Sequence, residues 1–337
     1  GNPVLRDRTV PARAISLSCL SRYQYLFLFI HQIVLWMLRI INIVVLLALV
    51  GEPAYAQPAN TPIVNIEYKH SNGQKVLLGH CSPAVMQAGI YQEWYGRSYD
   101  SYAVEADLSK QLKPLLDGKA IEVFAGSWCG DTRREIPRLM KILETVDFDT
   151  AQQLTLIFVD NSKELYKQSP QHEEAGKAIH RIPTIIVYED GKELNRIVET
   201  PVNSLEQDLV DILSGKPYQS NYYAVTYWQQ ISGVDKKLSA EQLDDLAKAI
   251  KGISRNPSEF NGYSYALSAQ GRLTEAINVL ELNTRLYPAD PIAYSNLAKL
   301  YVEMGAYREA KEKLEKVLEL QRDNEEAKEL LHRIASS

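Results

Sequence analysis

The chain has 337 residues, 45% of them hydrophobic and 23% charged, with a formal charge of −5. That balance is ordinary folded material with room for two modest domains, and it excludes a largely disordered chain. Without residues 1–56 the count is 32 Lys and Arg against 40 Asp and Glu, or −8, so no basic surface for nucleic acid is expected.

Residues 25–50 are apolar enough to enter a bilayer but are interrupted by His31, Gln32, Arg39 and Asn42. A start at Met37 gives the parse of an export signal. "MLRIIN" is a short basic n-region, "IVVLLALV" an apolar h-region, and "EPAYA" ends in the small-x-small triplet Ala54, Tyr55, Ala56, with cleavage after Ala56. The alternative is an uncleaved membrane anchor, since about 20 apolar residues span a bilayer. Both readings put the rest of the chain in a periplasmic or other extracytoplasmic space. Cys19 belongs to this leader, which leaves Cys81 and Cys129. Two thiols in an oxidising compartment are compatible with one structural disulfide, and their number alone decides nothing.

After the linker "QPANTP", the segments "IVNIEY" and "QKVLLG" read as strands around "HSNG", whose Asn72 and Gly73 favour a hairpin. From Pro83 to about Asp117 the pattern is helical, with Tyr91, Trp94, Tyr95, Tyr99 and Tyr102 forming an aromatic stripe expected to be packing. Together these make an N-terminal extension, residues 57–118. Next come a strand at "AIEVFAG", a helix over 132–145, a strand at "LTLIFVD" and a broken helix over 162–180. Strands at "TIIVYED" and "KELNRIVE" follow, joined through Gly191, and "SLEQDLVDILSG" is a closing helix ended by Gly215. Such an order predicts an α/β unit over 119–216, a mixed sheet with flanking helices, because parallel neighbours need crossover helices.

An all-α module over 256–337 follows a helical linker or cap at 217–255. "GRLTEAINVLELNTRLYP" and "GAYREAKEKLEKVLELQR" align at a shift of 34, pairing Gly271 with Gly305, Ala276 with Ala310 and Leu280 with Leu314. Small residues at turns and crossings, facing large ones, let two antiparallel helices pack closely. Pro288, Tyr294, Leu297, Ala298, Tyr301, Gly305 and Ala310 stand at motif positions, and Phe260 and Tyr263 fill the aromatic slots of the first unit. The region resembles the tetratricopeptide repeat, which implies a protein partner. About two units are visible where three usually make a stable stack, so 217–255 and a terminal helix near 324–334 are expected to cap them.

Around "AGSWCGDTRREIP" at 125–137 the marks of a second family gather. A strand leads into Cys129, Pro137 stands eight residues later, "RIPT" at 181–184 has the form of a loop with a cis proline, and "YEDGKE" matches a terminal hairpin. Residues 119–216 therefore resemble a thioredoxin fold, in an exported single-cysteine "WCGDT" branch. The resemblance implies that Cys129 is the catalytic nucleophile and Thr132 a stabiliser of its anion. It implies further that Trp128 shields one side, and that Gly130, Asp131, Ile182, Pro183 and Thr184 receive an extended peptide. Elementary physics supports the first role: unpaired N–H groups at a helix start favour a thiolate. One turn on, the Thr132 hydroxyl is expected to point at the sulfur; Arg133 and Arg134 add positive charge, and Asp131 opposes it.

Two departures from the family pattern shape the mechanism. Thr132 replaces the resolving cysteine, so a mixed disulfide must wait for another thiol. The family's buried acid, six residues before the cysteine, is here Val123, with Glu122 expected on the opposite strand face. Three functions stay open: single-thiol isomerase or reductase chemistry on protein or small-molecule disulfides, resolution of Cys129 by Cys81, and a non-catalytic platform for a protein partner. His70, His80, His172, His180 and His332 lack metal-ligand spacing, and no cofactor is expected. His180, three residues before Pro183, is either a base for Cys129 or an ordinary loop histidine.

Overall fold

Strand alternation organises the centre of the molecule. The computed structural model describes residues 65–232 and 236–336, so the leader, the anchor alternative and Cys19 lie outside the described residues. In β3 (Lys119–Ala125), Ile121, Val123 and Ala125 enter one core while Phe124 enters another. β3 runs parallel to β4 (Leu154–Phe158) and antiparallel to β5 (Thr184–Glu189), which pairs with β6 (Lys192–Val198). The parallel pair needs a crossover, and α3 (Gly130–Thr145) supplies it.

The expected hairpin is β1 (Ile66–Lys69) and β2 (Lys75–His80), closed by a short loop in which Gly73 takes φ +87°. β2 also pairs antiparallel with β4, giving the order β1-β2-β4-β3-β5-β6 among the described residues. The division expected at 118/119 therefore falls inside a continuous sheet and core rather than between two units. The helical stretch expected from Pro83 is broken into two 3-10 turns, α1 (Gln92–Ser101) and α2 (Ala106–Leu115). Its aromatic stripe is packing: Tyr91 and Tyr95 are buried in the main core, with Trp94, Tyr99 and Tyr102 against it. Leu112 of α2, Leu139, Ile142 and Leu143 of α3, and Leu209 of α5 (Leu205–Leu213) complete that core. A four-residue turn, α4 (Thr150–Gln153), leads into β4.

The broken helix expected over 162–180 does not form. Residues 161–183 are instead a chain of turns, with Lys167 at φ +57°, His172 at +58°, Gly176 at +75° and Ala178 at +54°. Four left-handed residues and Pro170 are incompatible with a continuous α-helix. Ser169 also accepts the Glu173 N–H at 3.1 Å, a local bond that competes with helical pairing. This loop covers the second sheet face: Ile179 and Ile182 pack with Phe124, Ile157, Val159 and Ile186.

The repeats are α8 (Ser258–Ala269), α9 (Leu273–Leu286), α10 (Pro291–Glu303), α11 (Tyr307–Leu320) and α12 (Glu325–Ala335). Gly271 and Gly305, at φ +74° and +71°, end the first helix of each pair, while Ala276 and Ala310 are fully buried at the crossings. α6 (Tyr223–Ser232) and α7 (Ala240–Ile250) cap one end through Val225, Trp228, Leu243 and Ile250. Ala327 and Leu330 of α12 cap the other against Ala298, Leu314 and Val317. Ala178 of the loop joins the repeat core beside Ile179 in the sheet core, so the loop binds the two modules together.

Candidate functional site

The site begins where β3 turns into α3. A Cβ on Gly126 would fall 2.6 Å from Ile182 Cδ1 and 2.8 Å from Trp128 Cε2, so a side chain here would displace both neighbours of the cysteine. The turn closes with Cys129 N–H donating to Gly126 O at 2.8 Å. Cys129 is the N-cap of α3, with extended φ −84° and ψ 131°, and its carbonyl accepts the first helical bond from Arg133 N–H at 3.1 Å. Its side chain is half-buried and free of any disulfide. The sulfur lies 3.4 Å from Ile182 O, and the Ile182–Pro183 peptide bond is cis.

The side chains around it are fixed by specific partners. Trp128, half-buried, donates from Nε1 to Val159 O at 3.1 Å and flanks the thiol. Ser127 accepts from Leu77 N–H at 3.0 Å and ties the turn to β2. Thr132 departs from expectation: its fully buried hydroxyl accepts from Gly126 N–H at 3.2 Å instead of turning to the sulfur. It therefore braces the turn, because an N–H left unpaired in the core would cost about 1–3 kcal/mol. Asp131 pairs with Arg134 at 2.6 Å, and Arg133 donates to Ser127 O at 2.8 Å, so these charges are engaged within the helix start. Gly130 is exposed beside the cysteine.

The three residues expected to receive a peptide are not equivalent. Thr184 is buried within the sheet between Phe124 and Val198, and its hydroxyl donates to Arg181 O at 2.7 Å. Pro183 O accepts from Glu199 N–H at 2.7 Å. Ile182 is the member whose carbonyl meets the sulfur. Pro183 O and Thr184 are thus engaged within the sheet, and of the three residues Ile182 is the one whose carbonyl meets Cys129.

A family model for thioredoxin matches residues 84–211, and one for the tetratricopeptide repeat matches residues 267–334. The chain is a thioredoxin-like protein with C-terminal tetratricopeptide repeats. Among curated proteins nothing matches it. A solved structure similar to the chain is the Yersinia enterocolitica type III secretion translocator chaperone SycD in an alternative dimer, at 23% identity, covering 34% of this chain and 84% of that one, with a TM-score of 0.22. That likeness is too slight to bear on fold or function.

In this thioredoxin-like domain the two cysteines belong to different cores. Cys81 is buried in the main core, donates to Leu78 O at 3.9 Å, and has its thiol pushed up to about 12 by burial. Cys129 packs on the opposite sheet face with Trp128 and Ile182. The family's acid position is filled by fully buried Val123, while Glu122 pairs with Lys177 at 2.7 Å and accepts from Tyr188 OH at 3.0 Å. His180 is a core histidine rather than a base: its Nδ1 lies 2.9 Å from Ala178 O, and burial pushes it down to about 3. Among the described residues no group of three or more His, Cys, Asp or Glu could hold a metal ion.

The structure adds residues that spacing did not single out. Arg181 pairs with Glu199 at 3.4 Å, lies 4.6 Å over the Tyr222 ring and donates to Ser258 O at 3.3 Å, docking the start of α8 beside the Pro183 turn. Gln168 donates to Ala269 O at 2.9 Å at the other end of the same helix. Between these anchors the Tyr166 and Tyr265 rings meet edge to face at 4.7 Å. Lys167 is buried in the same place, its ammonium pulled down to about 7 first by burial and then by Arg181, with Cys129 and Glu199 acting in the opposite sense. Arg181 was findable as the cation beside "IPT"; Lys167 was not, because it sits in a segment that reads as a broken helix.

Proposed function

We propose that this protein carries out thiol–disulfide exchange through Cys129 outside the cytoplasm, on disulfides of proteins or small molecules. The observation that carries the reading is a half-buried free thiol at the mouth of α3, 3.4 Å from Ile182 O at the Pro183 turn. The Cys129 thiolate attacks one sulfur of a substrate disulfide; that S–S bond breaks, a new one forms to Cys129, and the departing thiolate takes a proton. Thr132 has no sulfur to displace the product. An external thiolate then attacks the mixed disulfide and returns Cys129. When that thiolate is the substrate's own, the net result is isomerisation; when two small thiols serve, the substrate is reduced and they are oxidised to a disulfide. The burial of Cys81 and its upward-shifted thiol argue against resolution from within the chain.

The repeats bring a protein partner to the thiol, and the Met37 to Ala56 signal pattern carries the chain out of the cytoplasm. A platform without turnover is the second reading, favoured by the docking of α8 on the segment that precedes Pro183. Incubation with a disulfide-containing peptide separates the two. Exchange predicts a covalent adduct that forms unaided, is released by added thiol and is lost in Cys129→Ser. An inert native thiol would leave the platform. Secretion followed by N-terminal sequencing tests export, with Gln57 as the expected first residue.

A further inference from the structure

Lys167 is 4% exposed, and its position is locked from both sides. Its N–H donates to Asp160 O at 2.9 Å, Asp160 N–H donates to Gln168 O at 2.9 Å, and its backbone is left-handed at φ +57°. The side chain turns inward, with Nζ 5.0 Å over the Tyr166 ring and donating to His180 O at 2.6 Å. His180 stands two residues before Ile182, whose carbonyl meets the Cys129 sulfur at 3.4 Å. A buried lysine is held at such a place only by strong local compensation, since removing an ammonium from water costs several kcal/mol.

The groups facing this ammonium come from several elements. The Arg181–Glu199 pair and Cys129 all act on its charge, Arg181 against it and the other two with it. Tyr166 is on its own loop, where it too feels the charge of Cys129. Behind the His180 ring stand Tyr222, just ahead of α6, and Tyr263 of α8, and Glu259 of α8 acts on Arg181. On the α3 side of the sheet, fully buried Val123 fills the position of the family's buried acid.

We propose that Lys167 is the positioning residue of the exchange site: its ammonium opposes the negative charge of the Cys129 sulfur, and its bond to His180 O holds the backbone that meets that sulfur. The inference rests on the exchange reading of Cys129. It moves the buried ionisable partner of the thiol from the helix side of the sheet to the loop side.

Alkylation of Cys129 by iodoacetamide between pH 5 and 9 tests it, in the full chain and in Lys167→Met, Lys167→Gln and Lys167→Arg. Near pH 7 the lysine loses its proton, so the rise of the wild-type rate with pH is spread more broadly than a single-proton titration. The neutral variants narrow to a single-proton curve and react more slowly than the wild type at pH 6, the direction expected when a charge opposing the thiolate is removed. Lys167→Arg keeps the fast reaction with the narrow curve, an outcome that a merely structural role does not produce. Folded neutral variants with the wild-type rate and profile overturn the proposal, as does a single-proton wild-type curve should those variants not fold. A native Cys129 that does not alkylate at any pH refutes the exchange reading itself, whereas alkylation indifferent to residue 167 refutes this inference alone.

Discussion

Acid should part the loop from the repeats through His180. Its ring is 3% exposed, edge-on to Tyr222 and Tyr263 at 5.9 and 5.8 Å. Ala178 O can only accept, so the 2.9 Å contact places the proton on Nδ1, and Nε2 has no hydrogen-bond partner among the described residues. Protonation would bury a cation near Lys167, Arg181 and Arg196, which is why the group falls from 6.5 to about 3. Between those values the unfolded chain binds the proton and the folded one does not. This contribution to stability is complete above pH 6.5 and is lost as pH falls toward 3, at about 1.4 kcal/mol per pH unit and about 5 kcal/mol in all. Urea unfolding at pH 7, 6, 5 and 4 measures it against His180→Asn, which keeps a donor for Ala178 O but does not titrate. The stability advantage of the wild type over the variant should shrink by about 1.4 kcal/mol per unit below pH 6.5. Parallel stability curves for the two proteins would refute the reasoning.

Gly126→Ala should cost about 1–3 kcal/mol in urea unfolding and slow Cys129 alkylation, since the new methyl meets Ile182 and Trp128; unchanged stability would mean that the turn has slack. Cys81→Ala should cost about 1 kcal/mol of packing, yet accumulate Cys129 adducts to the wild-type level; a marked rise in adduct would instead reveal Cys81 as a resolving thiol.

Much of the fold was legible because it is written in short periods. The apolar run "AIEVFAG" marked the central strand, and the 34-residue shift that pairs Gly271 with Gly305 and Ala276 with Ala310 marked the repeats. Cys129 at the helix start was likewise a local matter, decided by the change from strand to helix period. The loop at 161–183 was not legible, since it reads as a broken helix while its left-handed residues answer to distant contacts such as Gln168 with Ala269 and Arg181 with Ser258.

The candidate site divides along the same line. Sequence by itself determined which groups stand at the site: one sulfur at a helix cap, no second sulfur at Thr132, no acid at Val123. Tertiary structure alone decided how they are surrounded. It gave the Thr132 hydroxyl to Gly126 N–H, took the groups of Pro183 and Thr184 into the sheet, set Cys81 in another core, and buried Lys167 beside the segment that meets the sulfur. Residue type and near-neighbour spacing fix the chemistry a side chain can offer. Its charge and reach depend on burial and on partners far along the chain, which no local pattern encodes.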